Sequence, residues 1–276
     1  MDIFNQINLT TPEHAYFFGF VQGDGHLSRS KRQPNKGKLT VELSVRDKDI
    51  LFQFQRMFPE SSISYRHRTT NFSDDYDSVI WRMCRQEFRE QLETLGVPTG
   101  KKSLIVAPPK VSFSTFDYWR GFIDADGSLG LTIKGLPYLS LVTASQHMAV
   151  AYESLIFDIL GKHKALNRNK RDSVYNITLF REDAIQVIRV LYYEGCLALN
   201  RKLEKAKEAI AWVRPANMRI VVGMRDWTKE EDEIVLSYGV EEASVELKRS
   251  ISSIKNRRFR LSHRAKDSDH SAEGAA

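Results

Sequence analysis

Leu39, Val41, Leu43 and Val45 alternate with Thr40, Glu42, Ser44 and Arg46. That period of two predicts a strand with one buried face. Leu139-Ser140-Leu141-Val142-Thr143 holds the same place in a second copy of the same succession. Upstream of each lies an apolar run with small residues four apart. The first is Tyr16-Phe17-Phe18-Gly19-Phe20-Val21-Gln22-Gly23-Asp24-Gly25, the second Tyr118-Trp119-Arg120-Gly121-Phe122-Ile123-Asp124-Ala125-Asp126-Gly127. Thr10 and Glu13 have capping-box spacing before the first helix, and Ser114 and Asp117 give a similar start to the second. Amphipathic helices follow at 50–58, stopped by Pro59, and at 148–160, stopped by Gly161. Further strands are predicted at 63–69 and 79–84, and at 165–169 and 175–180. Helices then follow at 86–95 and 183–194. Each copy closes on a basic pair opening an apolar stretch, Lys101-Lys102-Ser103-Leu104 and Arg201-Lys202-Leu203-Glu204.

Each copy therefore reads helix, strand, strand, helix, strand, strand, helix, helix, an α+β class built from two pseudo-symmetric repeats over 1–109 and 110–214. Pro108-Pro109-Lys110 is a short rigid link between them. A connector is expected over 215–225, a small all-α unit over 226–262, and a disordered polar tail over 263–276. In the small unit, Trp227-Thr228 opens a helix with acids in its first turn. Residues 226–246 hold eight acids and one lysine, whereas 248–266 hold eight Lys/Arg and no acid. Such a split fits a last helix, near 250–261, that faces phosphate.

Residues four apart share a helix face, so Gly19 lines up with Gly23, and Gly121 with Ala125. Small residues at that spacing let two backbones approach closely. Side-by-side packing would bring Asp24 and Asp126 together at two helix C-termini. A carboxylate there opposes the macrodipole by about 0.3–1 kcal/mol, and the two charges repel each other. Carboxylates with nearby backbone carbonyls suit a hard cation such as Mg²⁺.

Composition narrows the class. At 42% hydrophobic the 276-residue chain can bury a core. A net charge of +6 is compatible with nucleic acid without requiring it. Two cysteines in unrelated contexts, Cys84 and Cys196, argue against a disulfide scaffold or a cysteine zinc site and suit a reducing, intracellular compartment. No apolar run reaches membrane-spanning length, and the first residues lack a signal peptide's pattern. Basic residues crowd the loop 28–38 as Arg29, Lys31, Arg32, Lys36 and Lys38. Arg46, Arg66, Arg68 and Arg82 accompany the first copy's strands, and Lys134, Arg168, Lys170 and Arg171 the second's. Two-stranded ribbons enter a major groove and arginine reads guanine there, while basic loops mostly hold phosphate.

The paired apolar segments ending in Asp-Gly, with the repeated element order, resemble the signature of the LAGLIDADG homing endonucleases in their two-repeat, monomeric form, over about residues 12–214. The resemblance implies a saddle of two sheets on double-stranded DNA and a Mg²⁺-dependent hydrolysis of both strands across the minor groove, leaving 3′ overhangs at a long asymmetric target. It implies metal held by Asp24 and Asp126 near the carbonyls of Gly23 and Ala125, with Mn²⁺ or Ca²⁺ able to replace Mg²⁺ in binding. It places Lys102 and Lys202 at the site's edge, and Asp47 and His147 where a polar residue orders water. One departure is Gln22, where the second copy has the family's acid as Asp124. The stretch from Trp227, with Leu-x-Arg-Ser and Ile-Lys-Asn-Arg-Arg, resembles a Myb/SANT-like helix-turn-helix module. That implies DNA contacts by Lys255, Arg257 and Arg258. The alternative is a non-cleaving binder on the same scaffold, an intron maturase acting on RNA or a transcription regulator; retention of both acids favours the nuclease.

Overall fold

The computed structural model describes residues 7–29, 33, 36–70, 73–169, 171–216, 218 and 227–272. Lys31, Arg32 and Lys170 lie outside the described residues, as does the side chain of Arg68. The chain divides into two compact units, Met1–Val213 and Arg214–Ala276.

The first unit opens with α1 (Pro12–Asp24), β1 (His26–Arg29) and β2 (Gly37–Ser44). A 3-10 turn, Val45–Asp47, leads into α2 (Lys48–Met57), then β3 (Ser62–Thr70), β4 (Ser73–Met83) and α3 (Gln86–Leu95). The four strands form an antiparallel sheet in the order β1-β2-β4-β3. The second half repeats the start: α4 (Thr115–Asp126), β5 (Gly127–Leu131), β6 (Pro137–Thr143) and α5 (Gln146–Leu160). It ends with β7 (Tyr175–Phe180), α6 (Arg181–Leu191) and α7 (Asn200–Ile210), and its sheet runs β5-β6-β7.

Three sequence expectations are corrected. The strand expected over 165–169 forms a single bridge, Arg168 to Tyr175. Its end is a tight turn instead: the Asn169 N–H donates to the Val174 carbonyl at 2.7 Å, and the Asn169 side chain accepts from the Arg171 N–H at 2.8 Å. A short polar segment whose Asn bonds its own backbone prefers the turn to a ladder. The basic pair of the first copy opens no helix. Residues 101–106 make turns, with the Lys102 carbonyl accepting from Ile105 and Val106. Gly100, at φ +78°, and the prolines at 108 and 109 interrupt the chain on both sides of this stretch. The Thr10–Glu13 capping box is also absent. The helix starts after Thr11, with Pro12 in its first turn, and Thr10 Oγ1 donates to Asn8 Oδ1 at 2.7 Å.

The second unit has α8 (Lys229–Ser237), α9 (Val240–Glu246) and α10 (Ile251–Ala272) around Val235, Ala243, Leu247 and Ile254. Thr228 and Glu231 form a reciprocal capping box at the start of α8. The last helix continues past 262, into the stretch expected to be a disordered tail.

The core of the first unit is aromatic. Phe17 lies 4.9 Å from Phe54, 4.7 Å from Phe58 and 5.6 Å from Trp81, ring to ring, joining α1 to α2 and β4. Tyr118, Trp119, Phe122 and Tyr152 do the same for α4 and α5. Between these layers α1 packs directly on α4. A Cβ on Gly19 would collide with the Tyr118 carbonyl oxygen, and one on Gly121 with that of Tyr16. Backbone thus touches backbone at two related points. From Tyr16 to Gln22 and from Tyr118 to Asp124 every residue is buried, the pattern of a helix enclosed on all sides.

Alanine is normally better than glycine inside a helix by about 0.5–1 kcal/mol. At Gly121 the order should reverse. Gly121→Ala is expected to lower the unfolding free energy by about 1–3 kcal/mol, the usual cost of overpacking, read from the urea midpoint. An unchanged or raised midpoint would contradict the direct backbone contact.

Candidate active site

Both central helices stop in the same way. The Gly25 N–H bonds the Val21 carbonyl at 3.0 Å as the chain leaves in extended conformation (φ −73°) toward β1, and Gly127 caps α4 through Ile123. Glycine is required here by proximity: a Cβ on Gly25 would stand 2.6 Å from the Val21 oxygen, and one on Gly127 2.8 Å from that of Ile123. The last helical residues are Asp24 and Asp126, both reaching solvent. Gly23 and Ala125 pack against each other beneath them, and a Cβ on Gly23 would lie 3.4 Å from the Asp126 carboxylate. The expected meeting of the two acids is therefore realised by the Gly19–Gly121 and Gly23–Ala125 contacts.

Lys102 and Lys202 fill the negative ends of the helices. Lys102 Nζ donates to the Val21 carbonyl at 2.7 Å and to that of Gly25. Lys202, carried on the first turn of α7, donates to Ile123, Asp124 and Gly127 carbonyls at 2.6, 2.7 and 2.9 Å. The Val21 and Ile123 carbonyls already accept the glycine N–H groups and take the ammonium as a second donor, and a cation is the favoured partner at the negative end of a helix. Burial pulls both ammonium groups down to about 8, against the opposing attraction of neighbouring acids. Asp24 is pushed up to about 6, first by crowding away from water and then by Asp126, with Lys202, Lys102 and Arg201 working against the shift. Burial also raises Asp126, opposed by the two lysines. A cleft of about 230 Å³ opens beside them, lined by Gly23, Lys102, Ser103, Asp126 and Ala144 among others.

The position two residues before each acid explains the mismatch between the copies. Asp124 is fully buried and accepts from three donors: Tyr16 Oη at 2.7 Å, Tyr192 Oη at 2.6 Å and the Leu199 N–H at 2.7 Å. Gln22 faces a different set. Its Nε2 donates to the carbonyls of Gly96 (3.0 Å) and Ala107 (2.9 Å), and its Oε1 accepts from Tyr118 Oη at 2.5 Å. Three donors call for a carboxylate, whereas two acceptors and one donor call for an amide.

Asp47 and His147 occupy unlike surroundings. Asp47 is buried, with both oxygens accepting from Arg201 Nε at 2.9 and 3.0 Å, and Asn200 Nδ2 donates to Asp49 at 2.9 Å. These bonds tie the start of α7 to the first half. His147 is exposed in the first turn of α5. Tyr16 and Tyr192, which hold Asp124, had no local signal, because their partner lies 108 and 68 residues away. Arg120 had one, the only basic residue of a largely apolar helix. It is buried and donates to the carbonyls of Leu197 (2.7 Å) and Leu191 (2.8 Å) and to Asp117.

The expected DNA-facing residues divide into three groups. On the outer sheet face of the first half lie Lys38, Arg66 and Arg82; Arg46 is exposed beside them, 3.7 Å from Asp47, and Lys36 is exposed just before β2. Arg66 stands 3.7 Å from Glu42. Arg29 is held by Glu93 at 2.8 Å. In the second half Lys134 is exposed in the β5–β6 turn, Arg168 stacks over Tyr175 at 5.3 Å, and Arg171 pairs with Asp172 at 2.7 Å. In the second unit Lys255 is exposed, but Arg257 makes two 2.6 Å bonds to Asp232. Arg258 caps α8 through the Val235 (2.8 Å) and Tyr238 carbonyls. Those two arginines, expected to face DNA, hold the helical unit together.

No protein-family model and no curated protein matches this chain. Among solved structures, the homing endonuclease I-WcaI bound to its DNA recognition sequence is similar at a TM-score of 0.50 and 13% identity, over 71% of this chain and 87% of that one. The LAGLIDADG meganuclease I-AabMI bound to uncleaved DNA is similar at 0.45 and 13%, over 71% and 88%. Full-length DUF199/WhiA from Thermatoga maritima is similar at 0.43 and 11%, over 95% of each chain. The likeness to I-WcaI carries the fold alone: two antiparallel sheets on a central helix pair, the LAGLIDADG homing endonuclease fold. No helix among the described residues is long and apolar enough to cross a membrane.

Two outcomes follow from the site. Asp24 protonates near 6 in the folded chain against an ordinary 3.8, so folding takes up a proton between those values and stability falls as pH rises through them. In metal-free buffer Asp24→Asn should be more stable than the parent at pH 7.5, and the gap should close below pH 4, by urea unfolding. Equal curves at every pH would refute the crowding. Gln22→Glu would set an acid against two carbonyls and should cost at least about 1–3 kcal/mol; a neutral result would show that the site rearranges.

Proposed function

We propose that this chain is a site-specific DNA endonuclease that hydrolyses one phosphodiester in each strand of a long, asymmetric duplex. The observation that carries the reading is the pair Asp24 and Asp126. Two solvent-reaching carboxylates are held together against their own repulsion and against two helix dipoles. Nothing in the packing of the helix pair requires acids at those positions, since the close contacts are made by Gly19, Gly121, Gly23 and Ala125.

The donor set fits a hard divalent cation. Among the described residues no group of three or more His, Cys, Asp or Glu could hold a metal. Mg²⁺ commonly takes only one or two protein carboxylates and fills its remaining positions with water and phosphate oxygens. Asp24 and Asp126 would hold it, with the Gly23 and Ala125 carbonyls close by, and Mn²⁺ or Ca²⁺ would bind the same oxygens. When bound, such an ion supplies charge stabilisation at the scissile phosphate and favours an attacking hydroxide. The protein's own groups do the rest. Lys102 and Lys202 hold the helix ends in place and set positive charge beside the cleft. Arg82, Lys38, Arg66 and Arg46 give the first half a basic outer face. Duplex DNA is the partner on this reading, the active form is the monomer with both acids in one chain, and the compartment is intracellular and reducing.

A second reading, a nucleic-acid binder that does not cut, is favoured by one observation. Asp47 is closed off by Arg201 rather than open to water.

Duplexes enriched from a randomised library by the intact protein should be cut in both strands when Mg²⁺ is added. Asp24→Asn and Asp126→Asn should each abolish cutting while retaining affinity for the same duplexes. Mg²⁺ should raise the melting temperature of the parent and leave both variants unmoved. Tight binding with no nick under Mg²⁺, or cutting that survives either substitution, would decide against the nuclease.

A further inference from the structure

The two sheets present related but chemically different rows next to the acids. Two residues after Asp24, His26 pairs with Thr40, Thr40 with Arg82, and Arg82 with Ser62, so these four form one row across β1, β2, β4 and β3. Two residues after Asp126, Ser128 pairs with Ser140 and Ser140 with Thr178, the same row in β5, β6 and β7.

The first row has unused hydrogen-bonding capacity. Arg82 Nε and Thr40 Oγ1 are buried and have no hydrogen-bond partner. An unpartnered buried polar atom costs free energy comparable to a lost hydrogen bond, and the half-buried Arg82 side chain has no hydrogen bond or ion pair among the described residues, which leaves its Nη groups to an outside partner. Arg82 stands on β4, an inner strand flanked by β2 and β3, where its stem is fixed before anything binds. The second row is closed on itself. Ser140 Oγ bonds Thr178 Oγ1 at 2.8 Å and Asn176 Oδ1 at 3.1 Å, and Ser128 Oγ bonds Tyr138 Oη at 2.9 Å. No charged residue faces outward from those three strands. Exposed apolar groups surround the row instead: Leu131, Val142 and Phe180 on the strands and the fully exposed Ile133 beyond β5. Leu131, Ile133 and Phe180 border an open groove of about 740 Å³ whose rim also carries Lys134.

We propose, on the reading that the outer sheet faces lie in the major groove, that the two rows read opposite base chemistries: Arg82, with Thr40 and His26 beside it, reads a guanine in one half of the target, and the Ser140–Thr178 row with Leu131 and Phe180 reads thymine methyls in the other. Guanine shows two acceptors, N7 and O6, that match an arginine fork, and thymine alone shows a methyl group in that groove. A row with its hydroxyls already bonded has apolar contact left to offer. The target is then skewed, with guanine near the centre on one side and thymine on the other. Arg46 and Lys36, exposed at the margins of the sheet, are the better placed for phosphate, whose contacts fix register without reading sequence.

The test is selection of bound duplexes from a randomised library by the full chain without Mg²⁺, so that cutting plays no part. The parent should enrich sites with an invariant guanine in one half and thymines in the other. Replacing that guanine pair by A·T should weaken binding by about 5- to 150-fold. Arg82→Lys keeps the charge but loses the fork; it and Arg82→Gln should erase this discrimination and leave the thymine preference. Leu131→Ser and Phe180→Ser should do the reverse. Guanine discrimination surviving both Arg82 variants, equal base composition in the two halves, or a uniform loss across all sequences with a shallower salt slope would overturn the assignment. Enrichment of no sequence at all would remove it together with the DNA-binding reading, whereas enrichment with unskewed halves removes it alone.

Discussion

Direct backbone contact between α1 and α4 is the constraint from which the rest follows. Gly19 lies against the Tyr118 carbonyl and Gly121 against that of Tyr16. No side chain intervenes, so the helix axes are held at the distance that glycine alone allows. Everything at the helix ends inherits that distance. Asp24 and Asp126 project from the last turns of two helices that cannot separate without losing a buried core from Tyr16 to Phe122. Their closeness is therefore a consequence of packing far stronger than their repulsion, and both acids hold protons more tightly than usual, first because burial resists the charge and, at Asp24, also because Asp126 stands beside it.

The lysines complete that arrangement. A helix end leaves its last carbonyls unbonded, and two such ends side by side concentrate negative potential. Lys102 and Lys202 place ammonium groups on those carbonyls, each drawn down to about 8 because burial resists the charge. Removing one would strip the helix-end carbonyls of their charged donor as well as change the field at the acids. Their structural and electrostatic roles cannot be separated, and the same holds for Arg201, which closes Asp47 while contributing to the field at Asp24.

Much of this was legible because it is periodic. The matched apolar registers locate both helices, the alternation at 39–46 and 139–143 locates β2 and β6, and the small residues four apart identify the contact face. What was not legible depends on partners distant in sequence. The charge split after residue 226 suggested a basic face for nucleic acid. In the fold, Arg257 pairs with Asp232, 25 residues away, and Arg249 stacks on Trp227 at 3.9 Å while pairing with Glu231. These acids and bases meet each other within the unit, an outcome that composition cannot distinguish from a docking face. The unformed strand at 165–169 failed for a local reason, since Asn169 bonds its own turn.

Gln22 and Asp124 show how far pseudo-symmetry reaches. The two positions are equivalent in the helix pair, and both are buried. Each is specified by groups outside the pair: the loop carbonyls of Gly96 and Ala107 in one half, the hydroxyl of Tyr192 and the N–H of Leu199 in the other. The repeated segment fixes where these side chains sit, and the non-repeated surroundings decide whether donors or acceptors face them. The same logic separates the outer sheet rows, where equivalent positions hold Arg82 and Thr178. Close packing therefore enforces symmetry only on the backbone at the interface. Each half meets its own partners beyond it, so an equal pair of acids sits between two unequal halves.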